Sequence, residues 1–332
     1  MQRVVPVSWQ KCMCLVFAGL FSVVNAAALE APQLVKPIRS VLRPVVVAVI
    51  DSGSPKGNPD MAGIMLPGLS LAGGAQDKNS ACPEGPSSFD QGVHGDQVAR
   101  LIAAHSAPFE SGSLVHASIL PIYVYGKCKV TRTDMMAALK WAAGLPVAGF
   151  STNPNPARVI NLSLSGGGSR CGADLQQLVD QLLSMNIYVV AAAGNSFHQR
   201  LREPANCEGV IAVGASDEEG RIADYSALDE RIAVYAFGGD VPLAAVGDNP
   251  ALATLRSQVA GLVQELQGGG PLQASGTSYA APVVSGYLAM WLSRNPDKWL
   301  DDFKEELKRV TYRIAPPPDC PRCAPRTMDI RF

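Results

Sequence analysis

The sequence has no dense basic run and no excess of charge of either sign. Its 332 residues include 28 Lys and Arg against 29 Asp and Glu, a net charge of −1, so we expect no nucleic-acid partner. Charged residues make up only 17% of the chain and hydrophobic ones 47%, which is the composition of a globular protein with a large core. Internal repeats and linker-like stretches are also missing. We therefore expect one large domain without a second one beside it.

No apolar run is long enough to favour a membrane-spanning helix. Residues 1–28 instead have the pattern of a secretory signal peptide. Arg3 and Lys11 precede an apolar segment, Cys12–Val24, and small residues suited to cleavage follow it. No lipobox-like cysteine comes after this segment. We expect an exported protein, secreted or periplasmic, with no membrane span once the signal is removed. The next stretch, 29–43, is too short to be a folded domain.

Cysteines are few, and the number left after export is even. Cys12 and Cys14 leave with the signal, and in an oxidising compartment we expect disulfides among the six others, although the sequence does not choose the pairs. These are Cys82, Cys128, Cys171, Cys207, Cys320 and Cys323. The last two have the C-x-x-C spacing of half a zinc site, but no second pair and no neighbouring histidine accompanies them, which favours a disulfide and predicts no metal site.

Strand-like and helix-like patterns alternate along the chain. A nearly continuous β-branched run at Pro44–Ile50 is typical of a strand buried on both faces of a parallel sheet. We therefore predict an α/β fold, with a doubly wound, mostly parallel central sheet and helices on both faces, over residues 44–314 and followed by a Pro- and Cys-rich tail at 315–332. Further strands are predicted at Ser118–Tyr125, Arg158–Leu164, Ile187–Ala193, Val210–Ala215 and Ile232–Phe237, and helices at Thr133–Ala143, Ala173–Met185, Gly276–Arg294 and Lys298–Thr311.

Two stretches interrupt this alternation. Residues 54–90 are rich in Gly, Pro, Ser and Asn and are predicted to form a long loop, which in a compact domain is usually functional or mobile. Residues 238–274 contain leucines and valines at helical spacing, so we predict an amphipathic helix there. This helix either borders the functional site or packs away from it, and the sequence leaves both open.

Four polar residues stand at the ends of predicted elements, where sites form in open α/β sheets. Asp51 follows the first strand, His94 begins a helix, Asn195 follows a strand that ends in Gly-Asn, and Ser278 begins the long helix near the C-terminus. Three of them also have a purely structural interpretation. Asp51 and Asn195 are common turn residues, and Ser278 is a common helix cap.

Taken together, these residues are the ingredients of nucleophilic acyl transfer. A serine hydroxyl is a poor nucleophile until an imidazole removes its proton, and the imidazole needs a carboxylate to fix its tautomer and stabilise its cation. Asp51, His94 and Ser278 supply these three groups. The amide of Asn195 and the N–H of Ser278 can donate to an oxyanion.

The motifs around these residues resemble those of the subtilisin-like serine proteases. The matching segments are Val49–Gly53, His94–Ala99, Ala192–Asn195 and Gly276–Pro282, in family order, and the similarity runs from about residue 45 to 292. The resemblance implies a serine endopeptidase that cleaves polypeptides through an acyl-enzyme intermediate. It assigns the catalytic roles to Asp51, His94 and Ser278, and the oxyanion hole to Asn195 and the N–H of Ser278.

The resemblance also implies a binding site for the substrate backbone. The edge formed by Ser163, Leu164, Ser165 and Gly166 resembles the strand that pairs with the substrate backbone, and Lys129 and Val130 lie on the opposite wall. A peptide would lie between them as an added β-strand. Lys129 and Arg132 would then favour acidic residues upstream of the scissile bond.

The chain departs from the family pattern in several places. In place of the usual His-Gly-Thr-His the chain has His94-Gly95-Asp96-Gln97. The carboxylate of Asp96 would raise the pKa of the nearby imidazole and so move activity to higher pH. Tyr279 replaces the usual Met. The short stretch 29–43 leaves no room for the family's propeptide, so we expect unaided folding or a separate folding helper or inhibitor. No cofactor is identified, and since no acidic cluster marks a site, calcium is implied by the resemblance alone.

Two other functions are possible for a chain with these residues, and the sequence weighs differently on each. The altered histidine motif and the missing propeptide favour a subtilase-like peptide-binding protein with weak or no catalysis, whereas the intact triad argues against it. An esterase or lipase is disfavoured, because the chain has no G-x-S-x-G motif and the order Asp, His, Ser is wrong for that group.

Overall fold

A computed structural model describes residues 44–52, 61–71, 93–106, 117–124, 130–196, 199–217, 219–239, 275–318, 320–323 and 325–328. Several predicted features lie wholly or mostly outside the described residues. They are the signal peptide at 1–28, the segment 29–43, the loop at 54–90 apart from residues 61–71, the helix predicted within 238–274, the wall residue Lys129, and the cysteines Cys82 and Cys128.

Nine described strands form one sheet in the order β2-β3-β1-β4-β5-β6-β7-β9-β8. All neighbours run parallel except β8 and β9, which are antiparallel. The doubly wound, mostly parallel α/β fold predicted from the sequence is therefore confirmed. The strands are β1 Val45–Asp51, β2 Leu69–Ser70, β3 Ala117–Tyr123, β4 Val159–Leu162, β5 Tyr188–Ala192, β6 Ile211–Ser216, β7 Val234–Phe237, β8 Thr311–Arg313 and β9 Arg326–Met328.

Five described helices cover the two faces of the sheet. They are α1 Val93–Ser106, α2 Arg132–Ala142, α3 Ala173–Ser184, α4 Thr277–Arg294 and α5 Leu300–Val310. Helices α2 and α3 share one apolar cluster with Ala48 and Ile50, whereas α1, α4 and α5 share the other with Val47 and Val49. Successive residues of β1 thus point into opposite layers, which explains why its apolar run is continuous.

The C-terminal stretch 315–332, predicted to be a tail, contributes a strand to the sheet. Strand β9 lies between β7 and β8, where Thr327 pairs with Tyr235 and is fully buried. A disulfide joins Cys320 to Cys323 in the turn before it, as the spacing favoured. The sequence pattern missed β8 and β9 because strands of three residues are too short to show an alternating period.

Helix α4 is buried along most of its length and contains Pro282. Proline has no N–H, so the carbonyl of Ser278, four residues earlier, receives no bond from the helix backbone there. The hydroxyl of Ser163, just beyond the end of β4, donates to this carbonyl at 2.7 Å. The start of α4 is thereby fixed to the end of a central strand.

The loop that follows β4 is held by a buried carboxylate. Glu203 accepts hydrogen bonds from the N–H groups of Gly172, at 2.7 Å, and Gly168, at 3.2 Å, and from the Arg132 guanidinium at 2.6 and 2.7 Å. Arg132 also pairs with Asp174 on α3. Arg132 was expected to favour acidic substrate residues, but its charge is taken up by these two carboxylates.

A disulfide between Cys171 and Cys207 reinforces this loop. Together with a hydrogen bond of 3.0 Å from the Asn206 side chain to the Gly168 carbonyl, it ties the loop 166–172 to the segment that leads into β6. The edge beyond β4 is therefore anchored by charge, by hydrogen bonds and by a covalent bond.

Replacing Phe303 by alanine should lower the free energy of unfolding by about 3–5 kcal/mol, because the ring is fully buried against Trp291 and Tyr287 and its loss leaves a cavity. Urea unfolding followed by circular dichroism measures this. The matched control is Phe150→Ala, whose ring is 42% exposed and which should lose about 1 kcal/mol or less. Equal losses in the two variants would contradict the assignment of Phe303 to the core.

Replacing Glu203 by glutamine should destabilise the fold by about 1.5–3 kcal/mol at neutral pH, since hydrogen bonds to a charged acceptor are lost. Burial alone would raise the pKa of Glu203, but the Gly172 N–H, Arg132 and the Gly168 N–H together lower it below its ordinary value of 4.5. The stabilisation is therefore fully present above pH 4.5 and is lost as the pH falls through the lower pKa of the folded state.

Urea unfolding of the wild type and Glu203→Gln across this pH range checks the sign. The difference between them should shrink as the medium becomes more acidic. Glu305→Gln, which breaks an exposed pair with Lys308, is the control and should cost less than about 0.5 kcal/mol at any pH. A gap between wild type and Glu203→Gln that widens in acid would rule out the role given to Glu203.

Candidate active site

The first part of the site is a buried hydrogen bond between a strand end and a helix start. His94 Nδ1 lies 2.8 Å from Asp51 Oδ1, and the two residues are 2% and 1% exposed. The same oxygen accepts from the backbone N–H of Ser52 at 2.6 Å. Because a carboxylate only accepts, Nδ1 carries the proton in the neutral imidazole, and the lone pair lies on Nε2. This is the tautomer that can take a proton from a hydroxyl.

Gly95 allows the two elements to approach this closely. A Cβ at this position would lie 1.6 Å from the carbonyl oxygen of Ser52, so any side chain would push α1 away from β1. Helix α1 therefore starts directly against the end of the strand, with His94 in its first turn. The sequence prediction that His94 lies near a helix start is confirmed.

The second part of the site is the N-terminus of α4, where Ser278 is the second residue. A Cβ at Gly276 would lie 2.8 Å from the Asn195 Nδ2 atom and 3.1 Å from the Ser278 Oγ atom. The side-chain amide of Asn195 and the hydroxyl of Ser278 thus border the same glycine. Backbone N–H groups at a helix start favour negative charge, so a developing oxyanion would be stabilised here.

Thr277 fixes the orientation of the Asn195 amide. Its backbone N–H and its hydroxyl donate to Asn195 Oδ1 at 2.8 and 2.9 Å. Since the amide oxygen takes both donors, the NH₂ group lies on the side of Gly276 and Ser278. The Thr277 hydroxyl oxygen also accepts from the Gly194 N–H at 3.0 Å, so the end of β5 and the start of α4 are joined directly.

A series of hydrogen bonds between buried side chains ends on the Ser278 carbonyl and holds it in place. The Ser285 hydroxyl donates to Asn161 Oδ1, and Asn161 Nδ2 donates to the Ser163 hydroxyl, both at 2.9 Å, and Ser163 in turn donates to the Ser278 carbonyl. The Ser163 side chain is therefore engaged with α4. Leu164 is half-buried, and Ser165 and Gly166 are exposed along the predicted substrate edge.

The starts of α1 and α4 lie side by side. The ring of Tyr279, the residue after Ser278, lies edge-on to the His94 imidazole with the ring centroids 5.4 Å apart. Helix α1, with His94 in its first turn, therefore packs beside the start of α4, which carries Ser278. Asp51 ends β1, and Asn195 lies just beyond the end of β5. Of the predicted walls, Val130 is half-buried just before α2.

Asp96 lies in the first turn of α1, near the site. Burial raises the pKa of its carboxyl, and the positive charge of Arg100 partly offsets this. Burial and the Asp96 charge in turn raise the pKa of Tyr123 to about 12. The expected effect of Asp96 on the pH range of activity stays a prediction.

Three site residues were not recognised from the sequence as members of the site. Asn161 lies within a predicted strand, and Gln97 and Thr277 lie within the family motifs, but the sequence pattern assigned no role to any of the three. An asparagine between Ile160 and Leu162 in a buried parallel strand is a signal that could have been used, because a buried amide needs hydrogen-bond partners.

Among the described residues, no three or more His, Cys, Asp or Glu side chains are grouped to hold a metal ion. Calcium stays an expectation from the resemblance. No described helix is both long and apolar enough to cross a membrane.

Comparison with known proteins places this geometry in a family. The model of the subtilase family matches residues 43–317. The chain is 34% identical over 274 residues to an extracellular basic protease of Dichelobacter nodosus, covering 75% of this chain and 43% of that protein. It is 33% identical over 294 residues to an extracellular protease of Xanthomonas campestris pv. campestris, covering 82% and 48%. The chain thus spans about half the length of these curated relatives.

A solved structure agrees with the sequence relatives. A protease from Pseudoalteromonas arctica PAMC 21717 superposes with a TM-score of 0.65 at 27% identity, covering 87% of this chain and 88% of that one. The family match spans the strand end, both helix starts and the Gly-Asn segment that form the site described above. The chain belongs to the subtilase family.

Proposed function

We propose that this protein is an exported serine endopeptidase that hydrolyses peptide bonds through Asp51, His94 and Ser278. The observation that carries the proposal is the buried bond between Asp51 and His94 Nδ1, beside a helix start that presents Ser278 and the Asn195 amide together. The relatives that match most of this chain are named extracellular proteases, which supports both cleavage of protein substrates and export to the periplasm or the medium.

The first half-reaction forms an acyl-enzyme. The Ser278 hydroxyl attacks the scissile carbonyl carbon and passes its proton to His94 Nε2, while Asp51 stabilises the imidazolium through Nδ1–H. The carbonyl oxygen becomes an oxyanion. The imidazolium then gives its proton to the amine nitrogen, the C–N bond breaks, and the acyl group stays on Ser278 as an ester.

The second half-reaction repeats these steps with water. His94 removes a proton from a water molecule that attacks the ester, and the resulting imidazolium returns the proton to Ser278 as the acid product leaves. Asp51 needs no proton of its own in either half. Its contribution is to hold one imidazole tautomer and to stabilise the cation.

The oxyanion is held by two donors that are oriented before the substrate arrives. One is the backbone N–H of Ser278 at the start of α4, and the other is Asn195 Nδ2, whose direction follows from the two Thr277 donors on Asn195 Oδ1. Donors fixed in advance need no reorganisation as charge develops, which is why such groups contribute strongly to rate.

The substrate would be an extended polypeptide. The exposed edge Ser165–Gly166 follows β4 and is anchored by a bond of 3.2 Å from the Gly166 N–H to the Glu203 carbonyl and, further along the loop, by the Cys171–Cys207 disulfide. Its remaining backbone groups can therefore pair with an added strand at little cost in entropy. Val130, with Lys129 before it, would form the opposite side. Arg132 is engaged with two carboxylates, so any preference for acidic residues would depend on Lys129.

Ser278→Ala should abolish labelling by a fluorophosphonate, since the reagent phosphonylates an activated serine hydroxyl. Gel fluorescence of the labelled protein, followed by mass spectrometry of the modified peptide, measures this. Ser184→Ala, at the end of α3, is the control and should label like the wild type. Persistent labelling of Ser278→Ala would refute the assignment, and a wild type that binds peptides without labelling would favour the peptide-binding function.

Asn195→Asp should lower kcat by about 10²–10³-fold or more with KM little changed, the loss typical of one oxyanion donor in serine proteases of this type. Aspartate keeps an acceptor for both Thr277 donors but has no N–H to offer the oxyanion. Comparison with Asn195→Ala, which removes both functions, separates the two. If Asn195→Asp kept wild-type kcat on a peptide substrate, Asn195 would not belong to the oxyanion hole.

A further inference from the structure

Helices α1 and α4 are linked by a hydrogen bond between two side chains beside the site. The Tyr279 hydroxyl donates to Gln97 Oε1 at 2.8 Å. Gln97 is 8% exposed and lies one turn beyond His94 on α1, and Tyr279 directly follows Ser278 on α4. The bond therefore connects the element that carries the imidazole with the element that carries the serine.

The ring of Tyr279 also contacts the imidazole itself. Its centroid lies 5.4 Å from that of His94, with the planes at 62°, which is a favourable edge-to-face arrangement. The hydrogen bond to Asp51 fixes one ring nitrogen of His94 but leaves the ring able to tilt about that bond. An aromatic ring packed against the imidazole restricts the tilt, provided that the aromatic ring is itself held in place.

Gln97 is suited to hold the Tyr279 phenol at every pH below the pKa of that phenol. Burial, together with the Asp51 carboxylate, raises the pKa of Tyr279 to about 12, so the hydroxyl stays protonated and must donate. The amide oxygen of Gln97 accepts at every pH, because an amide does not titrate. Asp96 and Arg100 lie on the same helix as Gln97, and the charge of Asp96 acts on Tyr123 of β3.

These two residues are among the positions at which the chain departs from the family pattern. Gln97 stands in place of a histidine, and Tyr279 in place of a methionine. The structure shows that the two departures are in contact. A half-buried tyrosine at position 279 brings a hydroxyl that can donate, and Gln97 supplies the acceptor.

We infer that Gln97 and Tyr279 form a positioning pair, in which the hydrogen bond holds the Tyr279 ring against His94 and so fixes the imidazole relative to Ser278. The inference rests on the proposed function for its effect on rate. It does not rest on that function for its effect on the His94 ring, which is a property of the folded protein.

The first arm of the test is kinetic. Tyr279→Phe removes the hydroxyl but keeps the ring, and Gln97→Met removes the acceptor at similar volume. Each should lower kcat about 3–10-fold with KM within about twofold, because only the alignment of the imidazole changes. The double variant should be no slower than the slower single variant, since both changes break the same bond.

The matched control is Tyr287→Phe on the same helix. Its hydroxyl donates to Glu306 at 2.5 Å, so the substitution removes the same kind of bond from α4 away from His94. It should leave kcat unchanged. A purely structural role of Tyr279 would make the two tyrosine variants alike, each losing stability in urea but not rate.

The second arm observes the His94 imidazole directly, by a measurement that does not depend on enzymatic activity. The proton on His94 Nδ1 gives a low-field ¹H NMR signal that His94→Ala identifies, and its exchange with water should become several-fold faster in Tyr279→Phe and Gln97→Met but not in Tyr287→Phe. Unchanged exchange and unchanged kcat in both site variants would overturn the inference. A wild type that neither labels nor cleaves would refute the proposed function, and the NMR signal would still decide the positioning of His94.

Discussion

The hydrogen bond between Asp51 and His94 is the constraint on which the rest of the site depends. It joins a strand end to a helix start with both partners buried, and it requires α1 to begin where only a glycine, Gly95, fits against Ser52. Once α1 is placed, α4 must run beside it under the same face of the sheet, since both share one apolar cluster. The position of Ser278 follows from the packing of that second helix.

The site then uses groups that the fold would otherwise leave without partners. Pro282 frees the Ser278 carbonyl from the helix, and the hydroxyl of Ser163 binds it. Asn195 orients its amide through Thr277 rather than through solvent. Each of these bonds connects the start of α4 to the end of a different strand, β4 or β5. The start of α4 is therefore rigid because several strand ends converge on it, and preorganised donors of this kind favour charge development.

The sequence predicted the sheet, its helices and the four polar residues at its carboxyl edge, because strand periodicity and the residues that end elements are local signals. It did not predict the bonds of Gln97 with Tyr279 or of Arg132 with Glu203, because these join residues 182 and 71 positions apart and depend on side-chain direction. The sequence did not predict strand β9 for a different reason. A strand of three residues is too short to show an alternating hydrophobic pattern, and β9 forms because it pairs with β7, not because its residues favour a strand.

The most direct test of this account is a crystal structure of the protein inhibited by a fluorophosphonate. We expect phosphorus bonded to Ser278 Oγ, with the phosphonyl oxygen about 2.7–3.1 Å from both the Ser278 N–H nitrogen and Asn195 Nδ2, and His94 still bonded to Asp51. Phosphorus on another residue, or an oxygen that points away from Asn195 with the imidazole turned off Asp51, would contradict it.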